Sequence, residues 1–130
     1  MKLFLSAMLL MAATSSAWSQ DYRCRIQQVM AADQASPHLK EGRARLGMEF
    51  SVDRHTGIMA GALQNAYIGK PQVIDNGSDR NAYKVINVVR NKSARAGSVY
   101  ALTIDQQHPS STKPFVFLSN AIVYLGHCES

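Results

Sequence analysis

Few residues of this chain are arranged to do chemistry. The four histidines, His38, His55, His108 and His127, never fall two or four positions apart, the spacings that turn two imidazoles toward one metal. No metal site and no cofactor are expected. Asp53-Arg54-His55 sets a carboxylate, a guanidinium and an imidazole side by side. That stretch reads as a turn, however, where aspartate is favoured because its side chain bonds nearby backbone amides. Glu49 and Asp53 share strand parity, as an acid/base pair would need, but alternation along a strand produces that coincidence often. A nucleophile requires an orienting base, and neither Gly-x-Ser-x-Gly nor a similar elbow occurs. The chain is not expected to be an enzyme.

The two cysteines point to structure instead. Cys24 follows closely on a leader segment and Cys128 stands two residues from Ser130, so one bond between them would close almost the whole mature chain into a loop. A single disulfide joining the ends suits an exported domain whose first and last segments are neighbours. In the chain-entropy picture it removes on the order of 4–5 kcal/mol of unfolded-state freedom. The alternative is a pair of buried free thiols, which an oxidising compartment disfavours.

Export is read from the start of the chain. Lys2 supplies the positive charge, residues 3–13 an apolar core, and Ala17-Trp18-Ser19 a small-x-small cleavage site. The apolar run is well short of the roughly 20 residues that cross a bilayer. Residues 1–19 are therefore expected to be a signal peptide, with no membrane span and a periplasmic or secreted product. Residues 20–130, about 110 in number, are enough for one domain and too few for two. Without Lys2 the composition leaves thirteen basic residues against nine acidic ones. Such a surplus attracts anionic surfaces, but aromatic residues do not interleave with the basic groups, so nucleic acid is not an expected partner.

The elements that would position any site are short strands divided by turn chemistry. Tyr22-Arg23-Cys24-Arg25-Ile26-Gln27 and Met48-Glu49-Phe50-Ser51-Val52-Asp53 alternate apolar and polar residues, as strands with one wet face do. Asp53-Arg54-His55-Thr56-Gly57 supplies a turn, and residues 58–63 a return strand. A second hairpin is expected around Asn76-Gly77. Tyr83-Lys84-Val85-Ile86-Asn87-Val88-Val89 has the β-branched composition of a central strand. Further strands are expected at 98–105, 115–119 and 121–128, with Pro109 and Pro114 as breakers of the loop between the first two. The segment from Met30 to Arg45 fits either a short helix from Pro37 or a loop. The fold expected is all-β, a small antiparallel β-barrel or closed sandwich of about seven strands, with a disulfide between the termini.

Loops on a rigid scaffold present side chains at little structural cost. In Arg90-Asn91-Lys92-Ser93-Ala94-Arg95, the forked donors of Arg90 and Arg95, with Lys92 between them, could grip a phosphate or carboxylate. They are the candidate anion or partner contact. The Gly69-Lys70-Pro71 turn is a second candidate.

Tyr22-x-Cys24, Glu49-Phe50-x-Val52-Asp53-Arg54-x-Thr56-Gly57, Gly61, Asn65, Val73-x-Asp75-x-Gly77-Ser78, Tyr83-Lys84-Val85 and Tyr124-x-Gly126-x-Cys128 together resemble a family of small exported proteobacterial proteins of unassigned function. The resemblance spans nearly the whole mature chain and implies a shared fold and export, with no activity carried across. Terminal cysteines on a small β domain also look like the periplasmic lysozyme-inhibitor barrels. The function expected is non-enzymatic binding of an envelope protein or an anionic envelope component, in an oligomeric state the sequence does not fix. The alternatives are an inhibitor of a secreted hydrolase such as lysozyme and a carrier of a small apolar ligand.

Overall fold

A computed structural model of the chain describes residues 21–64, 70–89 and 98–130. The expected signal peptide lies outside them. Eight strands and one short helix follow in the order β1 (Tyr22–Ala31), α1 (Pro37–Arg43), β2 (Glu49–Val52), β3 (Met59–Gly61), β4 (Gln72–Asn76), β5 (Tyr83–Val89), β6 (Ser98–Ile104), β7 (Lys113–Ser119) and β8 (Ile122–Glu129). All eight strands join one antiparallel sheet in the order β3-β2-β1-β8-β7-β6-β5-β4. The sheet curls into a half-barrel, with β3 and β4 as its two unpaired edges. The first strand thus lies against the last, as the cysteines required.

The eight strands among the described residues agree with the expected small antiparallel β fold, the return strand at 58–63 being shortened to three paired residues in β3. Two details differ from expectation. Pro114 does not break β7 but lies inside it, opposite His127. Its carbonyl accepts the Asp105 N–H, past the last β6–β7 pair of Ile104 with Phe115, so its missing N–H falls beyond that ladder. β1 runs on to Ala31, and a bulge interrupts its alternation, the register shifting between Ile26 and Gln28. Before the bulge Tyr22, Cys24 and Ile26 face inward; after it Val29 does. One extra residue flips the parity of the strand and bends it.

Inward side chains from every sheet neighbour fill the curl. Tyr22, Phe50, Tyr83, Phe115 and Phe117 are each at most 2% exposed. Tyr22 tilts against Tyr83 with ring centroids 5.1 Å apart, and Phe50 meets Phe115 edge to face at the same separation, the arrangement aromatic quadrupoles prefer. Cys24 stands opposite Cys128 in the β1–β8 ladder, and the two form a disulfide spanning 104 residues of sequence. Beside it, β1 and β8 approach so closely that a Cβ on Gly126 would lie 1.9 Å from the Arg25 carbonyl oxygen and 2.8 Å from the Phe115 ring.

The helix covers one end of this core. Pro37 occupies its first turn, where a missing N–H costs nothing, and Lys40 and Arg43 stand in its last turn, opposite in sign to the helix dipole there. Seven residues do not hold a helix in isolation; Leu39, buried on its inner face, anchors this one. Gly42 lets the helix sit directly on Val29, Ile122 and Tyr124. No helix among the described residues is long and apolar enough to cross a membrane.

Candidate functional site

Strand polarity gives the half-barrel two unlike ends. At one end lie the β2–β3, β4–β5 and β6–β7 connections, and these are tied to one another. Asp53 shapes the first: its Oδ1 accepts the backbone N–H groups of His55 at 2.8 Å and Thr56 at 3.1 Å. The Thr56 bond is the main reason its carboxyl is held below the usual carboxylate range. Gly57 takes a φ of +77° and packs so close to Val85 that any side chain would collide with it. Arg54 reaches across the gap between the sheet edges to donate to the carbonyl oxygens of Asn76 at 3.1 Å and Gly77 at 3.4 Å, and its guanidinium lies over the Tyr22 ring. The Tyr22 hydroxyl donates to Gln106 at 2.7 Å, and the Tyr83 hydroxyl to the Asp53 carbonyl. Burial pushes both phenols above their ordinary pKa, opposed by the nearby Arg54. Gln107 in turn donates to the Arg80 carbonyl.

Every member of the Asp53-Arg54-His55-Thr56-Gly57 run with a defined contact is thereby used in closing this end. Glu49 is committed to Arg25 at 2.5 Å, well apart in role from Asp53. The histidines are likewise separate. His38 faces Glu41 along the exposed helix at 3.9 Å, His108 accepts the Ser110 N–H, and His127 meets Gln27 at 2.6 Å. Among the described residues no three His, Cys, Asp or Glu side chains gather as metal ligands would.

Among the described residues the other end is open. A cavity of about 850 Å³ lies there between α1, the chain that follows β3, the start of β6 and the β7–β8 turn. Asn120 builds that turn. It takes a φ of 55°, its N–H donates to the Val99 carbonyl, and its Oδ1 accepts the Val99 N–H at 3.0 Å. The side chain thus continues the β6–β7 ladder where the backbone has turned away. On the facing wall stands Arg45, half-buried, its Nε donating to the Ala62 carbonyl at 3.1 Å and its Nη1 to the Glu41 carbonyl and the Tyr124 hydroxyl, each at 3.4 Å. Nη2 takes no part in these bonds, and no carboxylate among the described residues pairs with the guanidinium. Tyr124 is 5% exposed, and because its oxygen accepts from Arg45 its own proton remains to be donated. A guanidinium held by neutral acceptors beside a hydroxyl donor is equipped to receive a carboxylate or phosphate.

Arg90, Lys92 and Arg95 lie outside the described residues, as does Gly69. The chain leaves the described structure at Val89 and returns at Ser98, and Ser98 lines the cavity. Lys70 is exposed immediately ahead of β4. Arg45 was not distinguishable in sequence from its neighbours Lys40 and Arg43. What sets it apart is contact with Tyr124, 79 residues away, which no local pattern encodes. Comparison of the chain with protein-family models, with curated proteins and with solved structures finds no match.

Proposed function

We propose that this protein is a non-enzymatic binding module of the bacterial envelope, exported to the periplasm, that receives an anionic group of an envelope component or partner protein at the open end of its half-barrel. The observation that carries the reading is Arg45, a half-buried guanidinium fixed by three neutral oxygens on the wall of an 850 Å³ cavity. A charge held in place by bonds that do not neutralise it loses little freedom on meeting an anion. The buried disulfide suits an oxidising compartment. Arg90, Lys92 and Arg95 precede Ser98 in the sequence, and Ser98 lines the cavity. The carrier alternative has less to rest on, because the inward aromatic side chains already fill the curl and the available space lies at its mouth.

Titration of the oxidised domain with an acidic peptide, and separately with phosphatidylglycerol vesicles, followed by amide and arginine side-chain NMR, tests this. Shifts are expected at Arg45, Ala62 and Ser98, with affinity falling about tenfold in Arg45→Ala, the loss of one charge-assisted contact. Shifts confined to the Asp53 to Gly57 end, or binding indifferent to Arg45, would sink the reading.

A further inference from the structure

The outer face of the sheet carries an apolar field that no other described element covers. In a strand every second side chain points away from the core, and the pairing registers show what those side chains form together. Ile86, Ala101, Leu118, Val123 and Met30 stand opposite one another in an unbroken line across β5, β6, β7, β8 and β1. Toward the open end the line is flanked by Val88 opposite Val99. Toward the closed end, Val116 lies opposite Leu125. Val88 is 56% exposed, Met30 49%, and Val99 and Val116 46% each. Polar residues enter the closed-end row at its ends, Lys84 opposite Thr103 on one side and Gln28 opposite Leu125 on the other, and Lys84 is the only charge among them. Scattered surface aliphatics need no explanation, but a contiguous field of them marks an interaction surface.

We propose that this outer face pairs with the same face of a second copy of the chain, forming a two-fold homodimer through β5 to β8. Three features bear on a copy as the occupant. The first is size: the central row spans five strands at about 4.8 Å, roughly 24 Å, and the flanking pairs widen it over two strands on each side. That is on the order of 300 Å² in projection, below the 500 Å² or so per partner of a stable interface, and it fits a weak association between copies. The second is charge. The chain is basic by five at neutral pH, so two copies repel wherever cations meet, and this face presents only a corner lysine. The third is shape. A twisted, curled antiparallel sheet is convex around the barrel and concave along it, as a hyperboloid is. Such a saddle matches its own copy when the strands cross at near right angles, the orthogonal mode of sheet packing. A two-fold axis through Leu118 would set each copy's central row across the other's.

Sedimentation equilibrium of the oxidised domain over about 1–500 µM tests the proposal, since a weak interface of this size holds in the micromolar range. A monomer–dimer equilibrium is expected, with the dissociation constant raised at least tenfold in Leu118→Lys, which places two like charges at the axis. Should that variant misfold by circular dichroism, Val88→Thr with Val116→Thr keeps the β-branched shape while adding hydroxyls, and the same weakening is expected. A chain monomeric throughout the range overturns the proposal, as does a dimer indifferent to these changes. So does flotation of the monomer on phosphatidylglycerol vesicles that Leu118→Lys abolishes, which would assign the face to lipid.

Discussion

Two glycines separate crowding from backbone strain at the level of single residues. Gly126 sits where β8 meets the bulge of β1, and a methyl there would intrude on the Arg25 carbonyl and the Phe115 ring. Neither can yield without breaking the ladder that holds the disulfide. Gly126→Ala is expected to cost about 3 kcal/mol, the upper range for overpacking. Gly47 has a φ of +81° and open space where its Cβ would be, so Gly47→Ala carries only the left-handed penalty of about 1 kcal/mol. Urea unfolding with unchanged slopes checks both. Asp53 makes a prediction in pH. Its carboxyl is held low chiefly by the Thr56 N–H, so the native state favours the ionised form. That stabilisation is present above the ordinary aspartate pKa near 4 and is lost as pH falls through the lowered value. Asp53→Asn keeps an acceptor oxygen but does not titrate. The melting temperature of the unmodified chain is therefore expected to fall more steeply than the variant's below about pH 4. The turn role of Asp53 and Gly57 was legible from residue type alone, because aspartate and glycine act there through their own backbone neighbourhood. Gly126 was not, since its necessity depends on a carbonyl a hundred residues away.

At the level of elements, strands with strict alternation were legible, and irregularity was not. β2, β5 and β6 fall where their apolar periodicity put them, because burial of one face fixes their register. The bulge in β1 left no composition signal, and the helix after Pro37 could equally be read as loop, since its stability comes from Leu39 and Gly42 docking on β1 and β8 rather than from propensity. The same logic identifies the weak point of the half-barrel. β3 and β4 do not pair, so the gap between them is spanned at the closed end by Arg54, through the Asn76 and Gly77 carbonyls and the Tyr22 ring. Arg54 is partly exposed, which discounts those bonds, and Arg54→Ala is expected to cost about 1–2 kcal/mol. Amide exchange should quicken at Gly77 and Asn81 with little change at Val99, which belongs to the other end. Arg54→Lys would not restore protection, having no fork to serve two carbonyls.

For the whole molecule, the bond between Cys24 and Cys128 decides stability more than shape. Its pairing was legible because only two cysteines exist and strands one and last had to meet. The open-end cavity was not, since it is lined by segments far apart in sequence. The partners flanking the disulfide, Arg23 opposite Glu129 and Arg25 opposite His127, hold β1 to β8 by backbone bonds that do not need the sulfurs. In the folded state the disulfide therefore adds little that the ladder lacks; in the unfolded state it closes a loop of 104 residues. The chain-entropy relation gives about 4–5 kcal/mol for such a loop, comparable with the whole stability of many small domains. The variant carrying both Cys24→Ala and Cys128→Ala is expected to keep its far-ultraviolet spectrum at 25 °C in neutral buffer. It should lose about 4 kcal/mol or more in urea, with about 1 kcal/mol of further loss from the vacated core volume. The denaturant slope should rise, because an unclosed chain exposes more surface on unfolding. A loss under about 1 kcal/mol with an unchanged slope would mean that the unfolded chain already keeps its ends together, and the stabilising role assigned to the disulfide would fall.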